Sequence, residues 1–305
     1  MGSDQIGGSA GLAGARWSVS ISRRTFIGTG AAFVAARFSG VSRADQSVTL
    51  RFGLTPVFLS DDLELLANLK AYLDNSTGFS VQLVTRRTYQ EITTLLISGQ
   101  LDAAWICGYP FVQYRHELDL VAVPVWRGEP LYQSYLIADS HREASGIDDL
   151  NGDIHAFSDP DSNSGFLVTR ALLAERRVPP ETFFRHFFFA YGHRNVIRAV
   201  GAGLAQSGSV DGYVWEVMSE VEPALTGRTR IVRKSEKLGF PPIAAPRALR
   251  GTAAVTALTA ALLHMPNHPT GRAMLRMLRL DGFTRSEPSL FDTIAAKVEL
   301  VRKYG

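Results

Sequence analysis

From residue 48 onward, short apolar runs with strand character alternate with longer segments whose apolar positions recur at helical spacing. Residues 48–54 read as a strand that Thr55-Pro56 ends. Ser60 or Asp61 is placed to cap a helix carrying Leu63, Leu66, Leu69, Tyr72 and Leu73 on one face. Residues 79–84 alternate as a strand does, and 89–98 return to helix, stopped by Gly99. The stretch 101–107 is almost unbroken apolar and bounded by turn residues, the mark of a parallel strand covered on both faces. Its end brings Cys107, Gly108 and Tyr109 to the sheet edge where open α/β sheets place their ligands.

Further strands are predicted at 121–125, 132–138 and 154–158. The polar loop Asp159-Pro160-Asp161-Ser162-Asn163-Ser164-Gly165 then opens an apolar helix at 166–175. A helix at 193–200 follows the turn Tyr191-Gly192, residues 209–215 read as a strand, and 231–233 as a segment crossing back toward the first half. Ala and Leu at helical spacing fill 252–265, 271–278 and 291–301. The alternation predicts an α/β protein of two lobes with a ligand cleft between them. Lobe 1 is expected from 45–133 and 235–305 and lobe 2 from 134–234, joined by crossings near 131–137 and 231–241.

The chain has 305 residues, 46% hydrophobic and 20% charged, enough for one large core or two moderate ones and outside the range of disordered or fibrous chains. A single cysteine, Cys107, excludes an internal disulfide framework and any multi-thiolate metal site within one chain. The net charge of +3 comes from the first 44 residues, which hold five arginines and one acid, whereas the rest carries 27 basic and 28 acidic residues. That balance gives no reason to expect nucleic acid as a partner. Ser22-Arg23-Arg24-Thr25-Phe26 resembles a twin-arginine export motif. Residues 27–36 form a short Gly/Ala-rich apolar run, and Ser42-Arg43-Ala44 offers the small residues a signal peptidase reads. Residues 1–44 are therefore expected to be an export signal, with a mature start near Asp45 and the periplasm as destination.

Three places could carry chemistry. The loop Ser162-Asn163-Ser164-Gly165 gathers hydroxyls, an amide and free N–H groups at a helix N-terminus, whose partial positive charge favours an anion without any cationic side chain. The same residues also serve as ordinary caps. In Tyr191-Gly192-His193-Arg194-Asn195, the imidazole of His193 can donate to an oxyanion and ordinarily titrates near neutrality. Cys107, exported to an oxidising compartment, is either a small buried apolar residue or a soft ligand facing the cleft. Tyr89, Tyr132 and Ser134 supply further hydroxyls near element ends. There is no Gly-x-Ser-x-Gly, Walker loop, His-Glu-x-x-His or spaced pair of metal-binding histidines, so neither an enzyme nor a cofactor is expected. An enzyme with Cys107 as nucleophile and His193 as base would lack an orienting third group.

Taken in order, these signals resemble the periplasmic phosphate-, phosphite- and phosphonate-binding proteins of the PhnD type, over about residues 48–249. The likeness rests on Phe52-Gly53-Leu54-Thr55-Pro56, on Tyr89 ahead of the run 95–102, and on Trp105-Ile106-Cys107-Gly108-Tyr109-Pro110. It continues through Tyr132-Gln133-Ser134, the Ser162–Gly165 loop, Gly192-His193 and Val210-Asp211. The resemblance implies a type II periplasmic binding protein, with Tyr89, Tyr132, Ser162, Ser164 and His193 holding the oxyanion and an ABC permease as partner. Two departures stand out: Asn163 replaces the usual Thr between the serines, and Cys107 lies where Gly-Pro-Pro-Tyr is common. A cysteine at this strand end is similar to the arsenite-binding sensors of the AioX type. That branch implies arsenite held by Cys107 and a sensor histidine kinase as partner, with sulfur favouring trivalent arsenic over phosphorus.

Overall fold

The apolar runs of the chain are buried as strands of two open sheets, five or six strands each, in a computed structural model that describes residues 49–56 and 63–305. The twin-arginine motif, the apolar run 27–36, the cleavage site at 42–44 and the cap at Ser60 or Asp61 lie outside the described residues. In chain order the first strands are β1 (Thr49–Leu54), β2 (Ser80–Thr85), β3 (Ala103–Trp105) and β4 (Leu118–Val125). β5 (Leu131–Tyr132) and β6 (Ser134–Asp139) follow, then β7 (Ile154–Phe157), β8 (His186–Phe189), β9 (Ser207–Asp211) and β10 (Thr229–Lys234). β11 (Leu238–Gly239), β12 (Ile243–Pro246) and β13 (Gly282–Thr284) come last.

The first sheet runs β13-β4-β12-β3-β1-β2, with β2, β1 and β3 parallel and β12 antiparallel between β3 and β4. Leu50, Phe52 and Leu54 of β1 are buried, and the helix Leu63–Thr77 lays Leu65, Leu69, Tyr72 and Leu73 inward. The second sheet runs β10-β6-β9-β7-β8, parallel through β9, β7 and β8. Each sheet anchors one lobe of a two-lobed α/β fold, and neither sheet closes on itself. Around Phe157, fully buried on β7, the rings of His155, Phe166, Phe184, Phe187 and Phe189 pack at centroid distances of 4.6 to 5.9 Å.

The chain leaves the first sheet through β5 and returns through β11, and these two short strands pair antiparallel, Tyr132 opposite Leu238 and Leu131 opposite Gly239. Gln133 separates β5 from β6, so the single strand expected at 132–138 is two. The C-terminal helix Asp292–Tyr304 packs on the helix Val168–Glu175 of the second lobe and on the helix Gly108–Gln113 of the first.

Three local readings differ from the structure. The strand expected at 209–215 begins at Ser207 and stops at Asp211, whose carboxylate accepts the N–H groups of Tyr213 (2.8 Å) and Val214 (3.3 Å). That cap starts the helix Gly212–Val221 and overrides the strand preference of Tyr213, Val214 and Trp215. Residues 231–233 do not cross between lobes; they lie in β10, an edge strand paired with β6. β8 has no sequence signature of a strand, because His186 is followed by three phenylalanines with no alternation.

Phe157→Ala is expected to destabilise the protein by about 3–5 kcal/mol, because the aromatic cluster cannot collapse into the void. Urea unfolding tests this, and a variant within about 0.5 kcal/mol of the parent, the usual range of surface substitutions, would contradict it.

Candidate ligand-binding site

The carboxyl ends of β3, β7 and β9 converge with the starts of several helices on one buried polar cluster. β3 ends at Trp105, and Cys107 then occupies the N-cap of the helix Gly108–Gln113 with extended backbone angles, φ −72° and ψ 153°. From the other lobe, β7 ends at Phe157 and the loop doubles back so that Ser162 caps a widely wound turn, Asn163–Leu167, leading into Val168–Glu175. Ser162 Oγ accepts the Gly165 N–H at 3.0 Å, satisfying one of the donors that a first helical turn leaves free. The Asn163 N–H, another of them, donates to Cys107 Sγ at 3.2 Å. The thiol therefore faces the helix tip rather than the hydrophobic interior.

Gly165 is required by close approach. A Cβ there would sit 1.8 Å from Ser158 Oγ and 3.0 Å from Cε1 of His193. Tyr191 and Gly192 both have positive φ, 50° and 151°, and this turn aims His193 inward from the start of its helix. His193 Nδ1 accepts the N–H of Asp211 at 3.0 Å, so the proton of the neutral ring is on Nε2, which lies 3.3 Å from Tyr89 Oη. Burial pushes the imidazole down to about 3. It is a neutral donor at physiological pH rather than the titrating group its ordinary value suggests.

The remaining expected residues join the same cluster. Tyr132 Oη accepts from Asn163 Nδ2 at 2.8 Å, and the Ser164 side chain also reaches that hydroxyl. Ser134 Oγ donates to the Ser164 carbonyl at 2.6 Å, so it holds the loop from behind. Tyr89, Cys107, Tyr132, Ser134, Ser162, Asn163, Ser164 and His193 are all buried, at 3% exposure or less. Contacts cross the cleft repeatedly: Cys107 to Asn163, Tyr89 to His193, and the Tyr89 N–H to Asp159 Oδ2 at 3.3 Å.

Three further residues belong to the cluster and were not among the expected ligand residues, although Asp159 opens the quoted loop and Asp211 closes the Val210-Asp211 motif. Asp159 accepts from Tyr89 and, at 2.8 Å, from the Asp161 N–H, and burial raises its carboxyl. Asp211 stands behind His193, pushed up to about 7 by burial against the opposing effect of its two capping N–H groups. Ser158 Oγ and Asn163 Oδ1 are buried without a hydrogen-bond partner. The Asp-Pro-Asp opening of the loop was the available signal for Asp159; nothing in the local sequence distinguishes Ser158 from an ordinary strand-end serine.

Desolvation pushes the Cys107 thiol up to about 12, with the Asn163 and Tyr109 N–H groups working in the opposite direction. Among the described residues, no three His, Cys, Asp or Glu side chains group as a metal site, and no helix is long and apolar enough to cross a membrane. The cluster can donate hydrogen bonds to a small oxyanion from backbone amides, hydroxyls and one imidazole, and it presents one sulfur.

A profile of the periplasmic substrate-binding proteins of phosphonate ABC transporters matches residues 52–291. A phosphate-import protein, PhnD, of Mycolicibacterium smegmatis is 29% identical over 246 residues, 73% of this chain and 77% of that protein. In fold, the chain is similar to a binding component of an ABC phosphonate transporter from Pseudomonas aeruginosa, at TM-score 0.78 and 18% identity over 85% of this chain and 88% of the other. It is also similar to PhnD1 of Prochlorococcus marinus, solved with methylphosphonate, at TM-score 0.74 and 19% identity over 84% and 98%.

Two outcomes follow from this geometry. With its thiol at about 12, on the order of one Cys107 in ten thousand is thiolate at pH 8, so iodoacetamide should leave the native protein unlabelled and label it promptly in urea. Rapid native labelling would contradict the burial. Gly165→Ala forces the loop away from Ser158 and should cost about 1–3 kcal/mol in urea unfolding; parent-like stability would contradict the close packing.

Proposed function

The chain belongs to the family of periplasmic substrate-binding proteins of phosphonate ABC transporters, and on that premise we propose that it captures a small tetrahedral phosphorus oxyanion, phosphate or an alkylphosphonate, for an ABC permease. It is a binding component and not an enzyme. The observation that supports this ligand class is the donor set: the Ser162–Gly165 helix tip, the Tyr89 and Tyr132 hydroxyls and the Nε2–H of His193 meet in one buried cluster. A helix N-terminus and neutral donors favour an oxyanion through short, directional bonds. Because the donors come from both lobes, ligand binding and lobe closure are one equilibrium, and the closed form presents the surface a permease would read. Export by the twin-arginine signal at residues 22–26 is part of the proposal.

A second reading, arsenite reported to a sensor histidine kinase, is favoured by one observation: Cys107 Sγ lies in the cluster, 3.2 Å from the Asn163 amide. Trivalent arsenic prefers sulfur. A thiol held neutral by burial would bind arsenous acid by condensation, the As–S bond replacing one As–O bond and the thiol proton leaving with the hydroxyl as water. One sulfur is sparse ligation for arsenic, so the phosphorus reading is preferred.

Thermal denaturation of the mature chain with phosphate, phosphite, methylphosphonate or arsenite tests both. A ligand at 100 times its Kd stabilises by about 2.7 kcal/mol. The phosphorus reading expects that stabilisation from a phosphorus oxyanion, kept in Cys107→Ala and reduced by about 10- to 100-fold in affinity in Ser164→Ala, a loss of about 1.4–2.7 kcal/mol. Stabilisation by arsenite alone, abolished in Cys107→Ser, would replace it with the second reading.

A further inference from the structure

We propose that this site takes its oxyacid in a protonated form, singly charged or neutral and carrying at least one O–H, and rejects the fully deprotonated dianion. The inference rests on the oxyanion reading above and concerns which charge state of that ligand is bound. The titratable groups that face the cluster are Tyr89 from the helix Tyr89–Ile97, Cys107 and Tyr109 after β3, Tyr132 on β5, Asp159 and Asp161 in the loop after β7, His193, and Asp211 at the end of β9; Arg170, on the helix Val168–Glu175, is felt by Tyr109 and lies over the Phe166 ring. Among the described residues, none of the hydrogen bonds or ion pairs of these side chains involves a lysine or arginine. Arg194, next to His193 in sequence, pairs with Glu222 instead. The neighbouring charges felt by both Tyr89 and Cys107 are the carboxylates of Asp159 and Asp211.

The helix tip supplies the equivalent of about half a positive charge, enough to favour one negative charge but not two beside buried carboxylates. The hydrogen-bond inventory points the same way. Asn163 Nδ2 is committed to Tyr132 Oη, which leaves Oδ1 buried as an acceptor without a donor. An amide oxygen can only accept, so a ligand hydroxyl satisfies it, whereas a dianion offering only acceptors leaves it unpaired. Ser158 Oγ, likewise buried and unpartnered beside Gly165, can meet either kind of ligand oxygen. Burial raises both Asp159 and Asp211, the response of acids in surroundings that resist further negative charge.

Titration calorimetry of the mature protein with inorganic phosphate and with monofluorophosphate tests this between pH 6 and 8.5. Monofluorophosphate keeps the tetrahedral shape but has no O–H at neutral pH. The expected result is phosphate affinity that falls about tenfold per pH unit above the ligand's second ionisation, with monofluorophosphate weaker on the order of a hundredfold at pH 7. Asp211→Asn, which keeps a capping side chain, should narrow the ratio between the two ligands. Equal binding of both ligands, phosphate affinity flat or rising with pH, or a ratio unchanged in Asp211→Asn overturns the inference while leaving the oxyanion reading intact. Failure of any phosphorus oxyanion to bind at pH 6 overturns both.

Discussion

A buried polar group must find a hydrogen-bond partner, and in this protein the partners lie across the cleft. Cys107 and Tyr89 on one side, Asn163, His193 and Asp159 on the other, are nearly inaccessible to water, and part of the hydrogen bonding of each is made across the cleft. That constraint links the two halves more specifically than apolar contact could, since a hydrogen bond is lost with a displacement of about an ångström while a hydrophobic contact merely loosens. Within the cluster, the Ser158 hydroxyl and the acceptor Asn163 Oδ1 are left unpaired and mark where its own hydrogen-bond inventory stops.

The rest of the fold serves to hold those groups at the right ends of their strands. Parallel strands end together, so β7 and β9 deliver the Ser162 loop and Asp211 to the same edge, and Asp211 then fixes the tautomer of His193 through its backbone N–H. The aromatic cluster around Phe157 gives the second sheet a rigid floor under the loop. The paired strands β5 and β11 are only two residues each, and β5 carries Tyr132 into the cluster. Exposed ion pairs such as Arg279 with Glu220, 2.9 Å apart, decorate the rim and contribute little by comparison.

Much of this was legible in the sequence because strands buried on both faces and capped helix starts have strong local signatures. The run ending at Cys107, the loop at Ser162–Gly165 and the turn before His193 all lie where the pattern placed them. What was not legible depended on through-space facts. The strand expected past Asp211 ends there because the carboxylate caps a helix, and β8 hides in a run of phenylalanines with no alternation. Burial, which no local pattern reports, turns His193 from a titrating group into a fixed donor and keeps the Cys107 thiol protonated. Asp159, remote in sequence from Tyr89, enters only when the lobes are brought together. Cys107 alone suggests arsenite, whereas the matched family is that of phosphonate ABC transporters and the Mycolicibacterium smegmatis relative is a phosphate-import protein.

The central claim is that ligand oxygens occupy the place where both lobes converge on the helix tip. A crystal structure of the mature protein grown with methylphosphonate tests it most directly. The account predicts a phosphonate group within hydrogen-bond reach of the Ser162–Gly165 turn, a tyrosine hydroxyl and Nε2 of His193. A phosphonate held elsewhere on the molecule, with these side chains bonded only to one another, would contradict it.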